Sequence, residues 1–250
     1  MATNHRLFVE TPLAPDQSIE LPDDASHYLT RVLRLRPGAS VTVFNGDGNN
    51  YTAQLASAEK KSARLDITTA SSTVQDAPSL NLSVALLKGD KLDYALQKAT
   101  ELDVAQIWLT QTNRCELRMS EKRLANRMQH WRRIIVSACE QSGRTRLPTL
   151  HPPQKLDQVL EATCHMDRYS LDPQADAGAL VVAERAVCLL TGPEGGYDDK
   201  EIDLLATHST QVQLGPLILR AETAPLVGLA LLAAARRASW EYQSTDSLNL

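Results

Sequence analysis

The chain has 250 residues, a formal net charge of −4, 43% hydrophobic residues and 22% charged residues. That balance excludes a disordered or fibrous chain and leaves room for one large or two modest domains. Bulk charge announces no nucleic-acid partner, so only a local basic surface could serve one. Aromatics are 4%, which leaves the core mostly to Leu, Val, Ile and Ala.

The start, MATNHRLFVE, shows no basic region followed by an apolar stretch, so no secretory signal is expected. The longest apolar run, Ala224 to Ala235, is interrupted by Pro225 and Gly228, and a membrane span needs about 20 residues. Cys115, Cys139, Cys164 and Cys188 form no CxxC pair; four idle thiols in a reducing cytoplasm are expected, with no metal site.

Taken in chain order, residues 1–72 predict a small β-rich domain. His5 to Val9 reads as a strand, and Asp23 to Leu35 as a helix stopped by Pro37-Gly38. Ser40 to Phe44 alternates and meets the turn Asn45-Gly46-Asp47-Gly48; Tyr51 to Ala58 and Ala63 to Thr69 are further strands joined near Lys60-Lys61. Short strands around tight turns suggest a small barrel. A polar stretch within Ala70 to Ser79, placed at 73–79, is the linker candidate. From residue 80 to 250, strands and helices alternate. Strands are predicted at Leu80–Leu87, Ala105–Thr110, Ala186–Thr191 and Gln211–Leu214. Helices are predicted at Lys91–Leu102, from Ser120 through Ala138, at Asp198–His208 and at Glu222–Ser239. This alternation predicts an α/β domain with a mostly parallel sheet covered on both faces.

Charge is uneven. From Arg114 to Arg146 nine Lys or Arg stand against three acids, a local +6, and Arg31, Arg34 and Arg36 cluster in the first domain. Two arginine-rich segments favour a polyanion, though phosphate, RNA and an acidic protein would all fit.

Motifs for a P-loop, a dinucleotide fingerprint, a nucleophile elbow or a zinc protease are absent. Three other segments stand out. Thr191-Gly192-Pro193-Glu194-Gly195-Gly196 follows an apolar strand and precedes a helix; glycines there let backbone groups approach a ligand, at a sheet end where such ligands sit. Leu214 to Ala224 places Arg220 just ahead of a helix whose start Glu222 favours electrostatically. Ala138 to Pro148 gathers Glu140, Gln141 and Arg144 within one turn, with Gly143 as a natural helix stop. Glu140 at a helix C-terminus is disfavoured, a hint of a role other than stability.

In these segments, together with HYLTRVLRLRPG at 27–38, Lys88-Gly-Asp-Lys91, Gln97 to Leu102, Arg114-Cys115 and Ile218 to Ala224, the chain resembles the bacterial small-subunit rRNA uridine N3-methyltransferases, the RsmE family of the SPOUT superfamily. The resemblance runs end to end. It implies a PUA-like β-barrel at 1–72 and a SPOUT α/β methyltransferase domain at 80–250 with a C-terminal trefoil knot, a rare exception to unthreaded chains. It implies a cytoplasmic homodimer, S-adenosyl-L-methionine as methyl donor, and transfer to N3 of one uridine of 16S rRNA, uridine 1498 in standard bacterial numbering.

By the same resemblance the donor is held by Thr191, Gly192, Glu194, Gly195 and Gly196, by Leu214, Gly215, Leu219, Thr223 and Ala224, and by Leu171 at a strand end. Glu140 is the candidate base, and Arg144 and Arg220 the charges for the uracil anion. Arg6, Arg31 and Arg34, with Lys88, Lys91 and Arg114, are the expected RNA contacts. Where the family usually has arginine and threonine, this chain has Leu217 and Ala221, so a two-arginine clamp is not carried over. Two other readings stand beside it: a knotted methyltransferase acting on another RNA, such as a tRNA ribose 2′-oxygen, and an RNA-binding assembly factor with a dead catalytic domain.

Overall fold

Eleven strands and six α-helices form among the described residues of the structure, a computed structural model that describes residues 5–59, 62–72, 79–115, 120–175, 180–181 and 185–246, with side chains to 237. The Lys60-Lys61 turn, most of the linker at 73–79, and Glu116 and Arg118 of the basic segment lie outside the described residues. The chain divides into two units, Met1–Gln75 with Cys139–Leu147, and Asp76–Ala138 with Pro148–Leu250. Assignment of Cys139–Leu147 to the first unit was not anticipated by any local pattern.

In the first unit, β1 (Arg6–Phe8), β2 (Ser18–Glu20), β3 (Ser40–Phe44), β4 (Asn49–Ala58) and β5 (Ala63–Ser72) make one sheet in the order β1-β3-β4-β5-β2. β1 runs parallel to β3, and the other pairs are antiparallel. Alternation drives the burial: Val41, Val43, Ala53, Leu55, Leu65 and Ile67 point inward and exclude water completely or nearly so. The three-residue β2 was missed because it spans less than one alternation that could be read against its neighbours. The predicted helix at 23–35 forms as α1 (Asp23–His27), followed at once by a π-helical turn over Tyr28–Val32. It ends early because Arg34 takes a left-handed backbone, φ 55°, which no helix accommodates.

In the second unit the parallel sheet is built from β6 (Leu80–Ala85), β7 (Val104–Gln111), β8 (Thr149–Lys155), β9 (Asp167–Leu171), β10 (Val187–Thr191) and β11 (Thr210–Val212), in the order β11-β9-β10-β6-β7-β8. Every pairing is parallel, so all six strands finish at the same end. β6 and β10 are buried at every position, as strands covered on both faces must be. The helices are α2 (Lys91–Glu101), α3 (Glu121–Ser142), α4 (Leu156–Ala162), α5 (Asp199–His208) and α6 (Ala224–Asp246). β8 went unpredicted because Pro152 and Pro153 interrupt it, which a strand at the sheet edge tolerates. α6 passes so close to β10 that a Cβ on Gly228 would stand 2.7 Å from Leu189 Cδ2. The four cysteines are free thiols, and full burial pushes Cys188 up to about 12.

Candidate functional site

Three neighbouring strands, β11, β9 and β10, release their chains at one sheet end, after Val212, Leu171 and Thr191. The order makes this a switch point, because β10 is inserted between β9 and β6 while β11 lies on the far side of β9. Open α/β sheets bind ligands at such a crevice.

The segment after β10 is braced from several sides. Thr191 Oγ1 donates to Ser83 O at 3.3 Å. Gly192 lies against the buried Tyr197 ring, where a Cβ would come within 3.1 Å. Glu194 Oε1 accepts from the Lys88 backbone N–H at 3.2 Å and from Lys91 Nζ at 3.1 Å. Partial burial works against its charge, but its own backbone N–H, the Lys91 ammonium and the Lys88 N–H outweigh that and hold the carboxyl below the usual glutamate range. Arg114 Nη1 donates to Gly195 O at 3.0 Å. Gly196 takes φ 68°, a left-handed conformation suited to glycine. Asp198 then caps α5: its side chain accepts the Glu201 N–H at 2.9 Å, and Glu201 returns the bond to the Asp198 N–H at 3.0 Å. The Glu201 N–H, with the Asn113 side chain, keeps the Asp198 carboxyl low.

The segment after β11 is built differently. From Leu214 to Leu219 no backbone N–H bonds to another described residue, and a Cβ on Gly215 would enter open space. Leu217 and Ile218 are 79% and 82% exposed. The chain regains bonds at Arg220, whose carbonyl accepts the N–H groups of Thr223 and Ala224 at 2.9 Å and so starts α6. Arg220's side chain is 83% exposed and 3.9 Å from Glu222 Oε1. Glu222 Oε2 is buried without a hydrogen bond, 3.6 Å from Lys91 Nζ. Backbone N–H groups that meet no other described residue, open space at Gly215 and the carboxylates of Glu194 and Glu222 are groups that can hydrogen-bond the adenine edge and ribose hydroxyls of S-adenosylmethionine. The residues present therefore fit that donor.

Glu140, Arg144 and Arg6 lie together in the first unit. Glu140 Oε1 accepts the Phe8 N–H at 3.0 Å. Burial pushes its carboxyl up, and the Phe8 N–H and the Arg6 charge only partly offset this. The Phe8 bond answers the sequence hint structurally, since the disfavoured glutamate ties the end of α3 to β1. Arg6 is committed inside the unit. It donates to Asn50 Oδ1 at 2.7 Å and to Arg144 O at 3.1 Å, and lies 4.9 Å over the Phe44 ring. Arg31 and Arg34 are exposed on and beside the π-helical turn, next to exposed Tyr28 and Val32. Of the expected RNA contacts in the second unit, Lys91 and Arg114 are drawn into the brace just described.

Sequence reasoning missed Tyr197, Asn113 and Glu201. The pattern Asp198-x-x-Glu201 is a capping-box signature that could have pointed to the last of these; nothing in the sequence pointed to the first two.

A switch-point crevice on a parallel sheet, with a small β unit ahead of it in the chain, is an architecture that many ligand-binding α/β proteins share. Residues 75–233 match the model of an RNA methyltransferase domain, and residues 21–68 that of an RNA methyltransferase PUA domain. The chain is 34% identical to the ribosomal RNA small subunit methyltransferase E of Synechocystis over 237 residues, 89% of this chain and 76% of that one. It is 26% identical to the protein of the same name from Bacillus subtilis, over 91% and 95% of the two. Among solved structures, a Legionella pneumophila protein in complex with bound SAM matches with TM-score 0.88 and 33% identity, covering 94% and 98% of the two chains. The Neisseria gonorrhoeae ribosomal RNA small subunit methyltransferase E, bound to S-adenosyl methionine, matches with TM-score 0.81 and 31% identity over 91% and 95%. The chain belongs to the ribosomal RNA small subunit methyltransferase E family.

Proposed function

We propose that this protein uses S-adenosylmethionine to methylate N3 of one uridine, uridine 1498 in standard bacterial numbering, in the 16S rRNA of the small ribosomal subunit. The observation that carries the reading is the sheet end itself, with a braced glycine segment beside one whose backbone donors are unmet, in a chain similar throughout to relatives named for this class of reaction. The same reading takes the segments after β10 and β11 as loops of a trefoil knot, and the working species as a cytoplasmic homodimer.

The donor, when bound, supplies an electrophilic methyl carbon. Thr191, Gly192, Glu194, Gly195 and Gly196 form one wall for it; Leu214, Gly215, Leu219, Thr223 and Ala224 form the second; and Leu171 closes the third. Alignment of nucleophile and methyl carbon by these walls lowers the entropic part of the barrier. Uracil N3 carries a proton at neutral pH, so the reaction needs an acceptor and positive charge for the anion spread over O2 and O4. Arg220, with its exposed guanidinium, and Arg144 supply charge. Glu140 takes the proton, and its raised proton affinity suits that task better than an ordinary carboxylate would. Arg31 and Arg34 hold phosphates, which give affinity and register, while RNA shape and the uracil edge give specificity.

The test is mass spectrometry of nucleosides from unmethylated small subunits incubated with the protein and donor. One N3-methyluridine per subunit is expected. A ribose-methylated nucleoside would move the substrate to another class, and no product would favour a binding-only protein.

A further inference from the structure

A second recess, of about 610 Å3, opens at the same end of the parallel sheet on its other flank, and methyl transfer as described gives it no task. It lies where β7 and β8 end and α4 and α5 begin, lined by Gln111, Thr112, Lys155, Asp157, Lys200 and Glu201 among others. Thr112 is only 7% exposed, and its Oγ1 is buried without a hydrogen-bond partner. A buried hydroxyl left unmet is costly, so the recess holds unspent hydrogen-bonding capacity. Its acids are already engaged: Glu201 accepts the N–H groups of Asn113 at 2.8 Å and Asp198 at 3.0 Å, and Asp157 accepts that of Gln158 at 2.9 Å. Its cations are not. Lys155 and Lys200 are exposed, and neither ammonium meets a carboxylate among the described residues.

What the recess lacks is therefore an anion carrying a polar atom that can reach Thr112. A nucleotide has both, and the volume falls in the range of small-molecule sites. The recess also shares a network with the donor wall, since Asn113 Nδ2 donates to Asp198 Oδ2 at 2.7 Å, directly beyond the glycine segment. We propose that this recess is a second RNA subsite, taking one nucleotide of the substrate strand with its phosphate at Lys155 and Lys200 and a ribose or base atom at Thr112. The proposal rests on the reading of the chain as an RNA methyltransferase.

The experiment measures 16S rRNA affinity across a salt series for the wild type, for Thr112→Val, and for Lys155→Ala combined with Lys200→Ala, alongside calorimetric titration with S-adenosylmethionine. The double variant should weaken RNA binding about tenfold and flatten the log–log salt slope by about 0.7, the share of one phosphate contact on a single strand. Thr112→Val should raise Tm, because it removes an unmet hydroxyl, and yet weaken RNA binding about fivefold; a merely structural threonine would not separate the two. Donor affinity should stay at the wild-type value in all three. An unchanged salt slope in the double variant, or a more stable Thr112→Val with wild-type RNA affinity, overturns the subsite. If the wild type binds rRNA but yields no methylated nucleoside, while both variants lose affinity as described, the subsite stands and the reaction assignment falls. If methylation proceeds and neither variant changes binding, the reverse holds.

Discussion

The two segments at the sheet end share a Gly-Pro step and have opposite construction. The 192–198 segment is fixed before any ligand arrives. Glu194 is held by Lys88 and Lys91, Gly195 by Arg114, Gly192 rests on Tyr197, and Asp198 and Glu201 cap each other. In the 214–219 segment no backbone N–H bonds to another described residue, and Leu217 and Ile218 stand in solvent. One segment is a preorganised wall, which lowers the ordering cost of binding. The other carries solvent-facing backbone donors that a ligand could take up. On the proposed reading, stability and binding fall to different loops of the same crevice, and substitutions should separate them.

The largest separation is expected at Arg220. Its exposed guanidinium adds little to the fold, so Arg220→Ala should leave Tm unchanged while lowering kcat by about 10²–10³, the usual cost of one charge-stabilising donor. Wild-type turnover would remove Arg220 from the chemistry and weaken the case for the open segment as the reactive side. Next comes the glycine pair. Gly192→Ala drives a methyl into a buried ring and should cost about 1–3 kcal/mol of stability, with donor affinity falling alongside. Gly215→Ala meets no neighbour, so thermal melts should match wild type while calorimetry shows weaker donor binding. If both variants behave alike, the contrast between the segments is wrong.

Two glutamates carry smaller effects of opposite sign. Burial raises the Glu140 carboxyl, so its contribution to stability is full below the ordinary glutamate range and is lost as pH rises through the folded value. Glu140→Gln keeps an acceptor for the Phe8 N–H, and should therefore raise Tm at neutral pH by about 2 °C, with the gain vanishing in acid. The same variant should lose turnover and the acidic limb of its pH–rate profile. Glu194 is held low, so its contribution is present above the ordinary glutamate range and is lost as pH falls through the folded value. The group is partly exposed, and Glu194→Gln should cost under about 1 kcal/mol at neutral pH, with the difference from wild type gone in acid melts.

How much of this was legible follows from physical range. The strands at Ser40–Phe44 and Val187–Thr191 and the helix over Lys91–Glu101 declare themselves by local periodicity, and the loops at 192–196 and 214–224 by glycine and proline. β9 could not be read from periodicity, because its residues, DRYSL, mix charge with half-buried positions; only the family resemblance marked its end at Leu171. The placing of Glu140 beside Phe8 depends on a contact 132 residues apart, which no local pattern encodes. Arg6 read as a phosphate contact only through the family resemblance, and its stacking on Phe44 is a tertiary fact.

The central claim is that the methyl donor completes the segment after β11 against a wall already formed after β10. Amide hydrogen exchange with and without S-adenosylmethionine tests it most directly. Strong new protection across 214–219, with little change across the braced 192–198 segment, is the predicted result. Protection confined to the Gln111–Lys155 recess, or absent from 214–219 at saturating donor, would contradict it.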